Sequence, residues 1–244
     1  RDSRVFHDMS VFDILDAVFR AWQGRGKLAP AWRFDIADTA IYPLRSLTTQ
    51  YQESDLAFAE RLMSEEGLFY YFEHEGDADS PGLGQHRMVI ADHNGAFQPN
   101  AQRSVRYTRP GAVMKEDSMD RWRCELRLQT NAIELNSWDY RSLDSRPVYS
   151  AGSQPAGAEL VSRDVPGQYA YSSRAQGQRA ADRHMQALEA RREVFIGAGT
   201  VRTLSPGTTF ALSGHSAHDR ADSEDARTFA ITRVVHLMHN NLTA

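Results

Sequence analysis

The sequence has one cysteine, Cys124, in 244 residues, so no disulfide can form within the chain and a disulfide scaffold is excluded. At this length staples are unnecessary, because a folded chain of such size buries roughly 70% or more of its unfolded surface. No uncharged apolar run approaches the roughly 18–20 residues of a membrane-spanning helix. The longest strongly apolar stretch, Gly67 to Phe72, has the length of a strand. Arg1-Asp2-Ser3-Arg4 leads into an amphipathic pattern in place of the short apolar core of a signal peptide. A basic excess is missing too: 28 basic and 32 acidic residues leave a net charge of −4, the opposite of a nucleic-acid binder's balance. Lysine occurs only at 27 and 115, so 26 of the basic residues are arginine. The remaining composition, 41% hydrophobic and 25% charged, is that of a globular protein and excludes general disorder. The length allows one large domain or two ordinary ones.

The first hundred residues alternate helices and strands. Ser10 precedes Val11, Ile14, Leu15, Val18, Phe19 and Trp22, spaced for one helical face, and Asp13 completes a capping-box start. Gly24 and Gly26 supply the stop. Strands are expected at Trp32 to Ile36 and Leu44 to Tyr51. A second helix opens at Ser54, carries Leu56, Ala59, Leu62 and Met63 on one face, and ends at Gly67, placed for a left-handed cap. The aromatic strand Leu68 to Phe72 follows, and Tyr70, Tyr71 and Phe72 are all expected in the core. An acidic loop from Glu75 to Gly84 leads to a returning strand at His86 to Ala91.

Beyond Asn94 the pattern becomes strand-rich. Gly95 to Ala101 reads as loop. Trp122, Cys124, Leu126 and Leu128 alternate with charged residues as one half-buried strand, with Ile133, Leu135, Trp138 and Tyr140 as its partner across a Thr130-Asn131 turn. Val148 to Gly157 reads as an exposed loop. Gln176 to Val194 is a helix with Ala181, His184, Met185, Leu188 and Arg192 on one stripe. Thr200 to Leu204 and Thr209 to Leu212 flank a Pro206-Gly207 type II turn, and a long last strand runs from Thr228 to Met238. The expected class is α+β: an α/β part over residues 1–98, then a barrel-like strand module over 99–244 with a loop-and-helix insertion at about 151–197.

Searching these residues for chemistry yields little. His74-Glu75 begins like a zinc-protease motif, but the fifth position is Ala78 and the stretch reads as loop. Asp77, Asp79 and Gly82 imitate a calcium loop whose later ligand positions are Pro81 and Met88. Gly24-Arg25-Gly26-Lys27 terminates a helix and lacks the first glycine of a phosphate loop. Gly214-His215-Ser216-Ala217-His218-Asp219 resembles a nucleophile elbow with His218 in place of the necessary glycine, or an incomplete metal site at His215, His218 and Asp219. Cys124 sits on the apolar side of its strand and His184 on a helix stripe, neither placed as a nucleophile or base. No catalytic, cofactor-binding or metal residue is assigned, and no cofactor is expected. A structural or binding component fits better than an enzyme.

Residues 51–75, YQESDLAFAERLMSEEGLFYYFEHE, resemble the signature of the VgrG family, the tip proteins of type VI secretion systems. Tyr51, Glu53, Ser54, Asp55, Phe58, Arg61, Leu62, Met63, Glu65, Glu66, Gly67, Tyr70, Phe72, Glu73 and His74 match it. Arg4-Val5-Phe6 with Met9-Ser10-Val11, Asp164 to Tyr169, Gly177, Ala180 and Gly199 to Phe210 extend the resemblance over nearly the whole chain. The resemblance implies a fold similar to the baseplate hub of contractile phage tails. It also implies a homotrimer that joins the hexameric Hcp tube to a spike, with baseplate proteins as further partners. Contacts to a spike-tip (PAAR) protein and to effectors would lie in parts beyond these residues, since the match contains no oligonucleotide-fold domain, needle or effector extension after Asn241. Nucleic-acid binding and stable membrane insertion are not expected. Assembly at a baseplate in the bacterial cytoplasm, then export without a signal peptide, would follow. A contractile-phage tail hub is the near alternative, and a metal-dependent hydrolase using His215, His218 and Asp219 the remote one.

Overall fold

The computed structural model describes residues 1–26, 29–76, 79, 84–111, 115–153, 157–168, 170–220 and 223–239. The chain opens with strand β1 (Asp2–Met9), helix α1 (Val11–Arg20), β2 (Trp32–Asp35) and β3 (Arg45–Glu53). Helix α2 (Asp55–Glu66) leads to β4 (Phe69–Glu75), β5 (Gln85–Ala91), β6 (Gln98–Tyr107) and β7 (Ser118–Leu126). Next come β8 (Ala132–Asp139), β9 (Asp144–Ala151), β10 (Val161–Asp164) and α3 (Arg174–Arg192). Strands β11 (Glu193–Gly199), β12 (Thr208–Ser213) and β13 (Thr228–Ala230) close the order.

The helices form where capping chemistry and apolar spacing agree. At α1 the Ser10 hydroxyl accepts from the Asp13 backbone N–H at 3.2 Å, and the Asp13 carboxylate accepts from the Ser10 N–H at 3.0 Å. Val11, Ile14, Leu15 and Val18 are the buried face. The Ser54 hydroxyl likewise caps α2, and Gly67 ends it at φ +70° while the Leu68 N–H reaches back to the Met63 carbonyl at 2.8 Å. Ser173 caps α3, whose buried stripe is Gly177, Ala181 and Met185. His184 lies outside that stripe and is exposed, because the small residues set which side of the helix can approach the sheet.

Two compact units are built from interleaved segments. The first comprises residues 1–21, 40–68 and 124–195. It holds the antiparallel β1–β3 pair and a three-stranded sheet in the order β10-β8-β9, against which α3 packs Ala181 and Met185 onto Ile133, Leu135, Val148 and Tyr171. The second comprises residues 22–39, 69–123 and 196–244. It holds a three-stranded sheet, β2-β5-β4, and most of a five-stranded mixed sheet, β11-β7-β6-β12-β13. Val105, Met119, Val201, Phe210, Leu212 and Ile231 are the apolar core on the larger sheet. The fold is α+β and strand-rich. Among the described residues no sheet closes on itself.

Several local expectations change for identifiable reasons. Strand β8 pairs with β9 and β10, not with β7, and α3 covers the side that carries Ile133 and Leu135. After Trp122 the expected half-buried alternation is not seen: Cys124 and Leu126 on β7, and Leu128 beyond its end, are all exposed. Residues expected as loop at 98–101 and 148–151 are strand, held by the pairing of β6 with β12 and of β9 with β8. Residues 200–204 are not strand, and the last strand stops at Ala230, since β12 offers it only Thr209 to Ala211 as partners. On β4 the pleat buries Tyr71 and leaves Phe72 45% exposed, so the three neighbouring aromatics do not share the core.

The turn between β11 and β12 is one place where glycine is obligatory. The Thr208 N–H donates to the Ser205 carbonyl at 3.3 Å, and Gly207 follows Pro206 with φ +82°, the type II arrangement. A Cβ on Gly207 would fall 2.2 Å from Cδ2 of Tyr71, whose hydroxyl is tied to the Ala96 carbonyl at 2.7 Å. Gly24 has a similar φ of +75° but meets nothing within 4 Å among the described residues. Gly24→Ala is therefore expected to cost about 1 kcal/mol, the left-handed backbone alone. Gly207→Ala should cost roughly 2–4 kcal/mol, since overpacking is added. Urea unfolding of the two variants measures the difference.

Candidate functional site

The signature stretch and its surroundings form a lattice of charge pairs in the first unit. Gln50, fully buried on β3, donates to the Glu53 carbonyl at 3.1 Å and to the Asp55 carboxylate at 2.9 Å. Arg4 on β1 donates to the Gln50 side-chain oxygen at 2.8 Å and pairs with Asp55. The N-terminus of α2 is thereby tied to both strands beneath it, with the Asp55 carboxylate in the favourable first turn. Arg61, further along α2, donates to Glu53 at 2.6 Å, to Glu65 at 3.1 Å and to the Thr49 carbonyl at 3.0 Å. Its guanidinium lies 5.3 Å from the Phe58 ring centre, and Phe58 stacks on Phe6. The hydrogen bond from Arg61 holds the Glu53 carboxyl below its ordinary pKa.

At the other end of α2, Glu66 gathers three guanidinium groups. Arg45 contacts it at 2.6 Å, Arg183 at 3.1 Å and Arg179 at 3.3 Å, and the Glu66 side chain is only 12% exposed. Arg179 and Arg183 sit one turn apart on α3 and both lie over the ring of Tyr42, at 4.3 and 5.2 Å from its centre. Arg179 also donates to the Ile41 carbonyl at 2.5 Å. Burial, reinforced by the neighbouring Arg183 charge, pulls the Arg179 pKa down. Burial works against the Arg45 cation too, but hydrogen bonds to Glu65 and Glu66 outweigh it and raise its pKa. The Arg183 chain crosses Gly67, where a Cβ would be 2.9 Å from its Cδ. Gly67 thus serves the left-handed cap and the passage of an arginine at once.

In the second unit, Arg33 on β2 spans the sheet to Glu73 on β4 at 2.6 Å and holds Asp35 at 3.1 Å. The Arg33 hydrogen bond lowers the Glu73 pKa. The sequence displays the glutamates of α2 but does not connect them to their arginines on α3. The one available signal is the Arg179/Arg183 spacing of four, which names a helix face without naming its partner.

The histidine loop after β12 is organised as a packing element. Gly214, at φ +77°, donates its N–H to Asp219 at 3.0 Å, and the His218 and Asp219 N–H groups both reach the His215 carbonyl at 2.9 Å. The Trp122 indole N–H donates to His218 Nε2 at 2.9 Å, so the lone pair a metal would need is engaged. His218 packs edge-on to Phe229, and His215 edge-on to Tyr107. Among the described residues no three His, Cys, Asp or Glu side chains converge as metal ligands. His74 and Glu75 lie on β4, not in a loop, while Asp77 and Gly82 lie outside the described residues. The Cys124 thiol is exposed and donates to Glu193 at 3.5 Å; desolvation and that carboxylate raise its pKa, which disfavours a thiolate. No helix among the described residues is long and apolar enough to cross a membrane.

Residues 1–242 match the family described as phage tail baseplate hub (GPD). The chain is 30% identical over 223 residues to type VI secretion system spike protein VgrG1a of Pseudomonas aeruginosa, covering 90% of the chain and 32% of that relative. To VgrG5 of the same organism it is 31% identical over 245 residues, covering 96% of the chain and 28% of the relative. The chain thus spans about a third or less of these relatives' length. Among solved structures, the E. coli c3393 protein, described as a type VI secretion component similar to the T4 tail proteins gp27 and gp5, superposes with a TM-score of 0.55. That match is 16% identical and covers 95% of this chain and 45% of the other. The 43 kDa tail protein of prophage MuSo2 from Shewanella oneidensis gives 0.53 at 12% identity, covering 85% and 57%. These two establish likeness of fold.

Removing the carboxylate at the centre of the arginine group leaves three cations facing one another. Glu66→Ala is expected to destabilise the chain by about 3 kcal/mol, read by urea unfolding, because half-buried guanidiniums lose their counter-charge. The loss should shrink in 1 M salt. Acid acts on the same kind of pair. Glu53 and Glu73 have folded pKa values below the unfolded value of about 4.3, so their contribution is present above that pH and disappears as pH falls through the folded values. Thermal melts should be flat from pH 7 to 5 and fall steeply below about pH 4.

Proposed function

Because the chain belongs to the phage tail baseplate hub (GPD) family, we propose that it acts as a structural tip component of a type VI secretion apparatus. In this reading it forms a trimeric adaptor between the hexameric Hcp tube and the spike and takes part in effector delivery. The observation that carries the proposal is the 30–31% identity to VgrG spike proteins over 90–96% of the chain. The internal chemistry agrees with it. Seven of the signature residues, Glu53, Ser54, Asp55, Arg61, Glu65, Glu66 and Gly67, brace or terminate a helix packed on strands, as a mechanical part requires, and the histidine loop after β12 is packed through its rings. Large apolar side chains also remain uncovered in the first unit: Leu126 is 71% exposed and Leu128 87%, which is material that assembly with other chains would cover.

A phage tail hub is the second reading, favoured by the family's own description and by the fold of the prophage tail protein. The partner separates the two. Assembly in the bacterial cytoplasm followed by export belongs to the first reading, and incorporation into a virion to the second.

Light scattering over a range of concentrations is expected to give a trimer. That species should retain the hexameric tube protein of a type VI system in a pull-down. A monomer at every concentration that also fails to retain the tube protein overturns the adaptor role.

A further inference from the structure

The antiparallel β4–β5 hairpin places His74 directly opposite His86. Their Nδ1 atoms are 2.6 Å apart and the rings meet edge to face with centres 4.7 Å apart. One imidazole N–H therefore donates to the lone pair of the other, and two ring nitrogens stand side by side at the protein surface. Both residues are exposed. The backbone beneath them is held close: a Cβ on Gly84 would stand 2.8 Å from the Glu75 carbonyl oxygen. The strand pairing runs on through Glu75 and Gln85, so the spacing of the two histidines is set by the ladder and not by a loop. On the neighbouring positions Arg87 contacts Glu73 at 3.9 Å and Glu75 at 3.4 Å, which leaves those carboxylates engaged with a cation.

We propose that His74 and His86 are a two-imidazole clip for a divalent transition cation of the zinc class, bound through both Nδ1 atoms, with water in the remaining positions. Imidazole nitrogen selects zinc, copper or nickel over magnesium and calcium, which prefer oxygen. Ligands 2.0–2.1 Å from a tetrahedral ion lie about 3.3 Å apart, so the rings must separate by roughly 0.7 Å, which rotation of two exposed side chains supplies. The proton on the donating Nδ1 relocates to Nε2 of the same ring through solvent, which frees both Nδ1 lone pairs for the ion. In the histidine loop after β12, by contrast, His218 Nε2 accepts from the Trp122 indole, whose proton cannot relocate in this way. Such a clip is independent of the assembly role.

The test is calorimetric titration of the full chain with zinc chloride, and with magnesium chloride as the control. One zinc per chain is expected, no magnesium, and at least a tenfold loss of zinc affinity in His74→Ala and in His86→Ala, with none in His184→Ala. In the unmodified chain, imidazole nitrogen NMR should show zinc moving the Nδ1 signals of His74 and His86 and not those of the other histidines. Absence of zinc binding, binding unchanged in the double variant, or zinc shifts confined to other histidines would each overturn the proposal.

Discussion

Three guanidinium groups from two distant stretches of sequence converge on the carboxylate of Glu66, and the first unit depends on that convergence. Helix α2 is short and only half apolar, so propensity alone would not hold it. Its N-terminus is fixed by the Ser54 cap and by Asp55 reaching Arg4, and its C-terminus by Arg45 from β3 and by Arg179 and Arg183 from α3. The pairs are half-buried, where charge interactions are stronger than at the surface but desolvation is costly. What such a lattice contributes is geometry. It permits one position of α2 against β3 and α3, because shifting the helix by one residue would leave several guanidiniums without a carboxylate. For a protein proposed to be a structural component, a single allowed arrangement matters more than a large net stabilisation.

That view changes what a family signature means in this chain. Glu53, Ser54, Asp55, Arg61, Glu65, Glu66 and Gly67 are members of one internal network. Each is a cap, a counter-charge or a left-handed stop. Taken as a motif, they invite a search for a ligand; in the fold, their polar atoms are already occupied. Exposed apolar side chains occur within the signature, at Tyr51 and Phe72, and also on residues with no motif character, such as Leu126 and Leu128.

Features that depend on near neighbours are legible in the sequence itself. The helix caps, the Gly67 terminator, the Pro206-Gly207 turn and the β4–β5 hairpin are each written in a few adjacent residues. Pairing between distant strands is not. The alternation of β7 is as clear as that of β8, and periodicity says only that each has two sides, not which partner covers them. The apolar row Cys124, Leu126, Leu128 therefore has the pattern of an inward face and yet faces out. The last strand departs from its pattern for a related reason: Thr228 to Met238 has strand composition, but β12 offers three residues of pairing. The candidate site divides in the same way. Glu65 and Glu66 are visible as an acidic pair, while the α3 arginine Arg183 that helps complete it lies 117 residues away. His74 has a counterpart only through the hairpin register, which residue types alone do not fix.

The separation of Glu66 from Arg183, 117 residues along the chain, has a consequence for biosynthesis. On a ribosome adding roughly 5–20 residues per second, α2 emerges several seconds or more before its counter-charges exist. During that interval Glu66 and Arg45 must wait beside an unfinished surface, and the first unit cannot close until α3 has left the exit tunnel. Contacts so remote in sequence also slow the final step, because a long loop must be closed before the pairs reward it. A chain arranged in this way is committed to finishing late, with its first unit unable to close before most of the described polypeptide has been made.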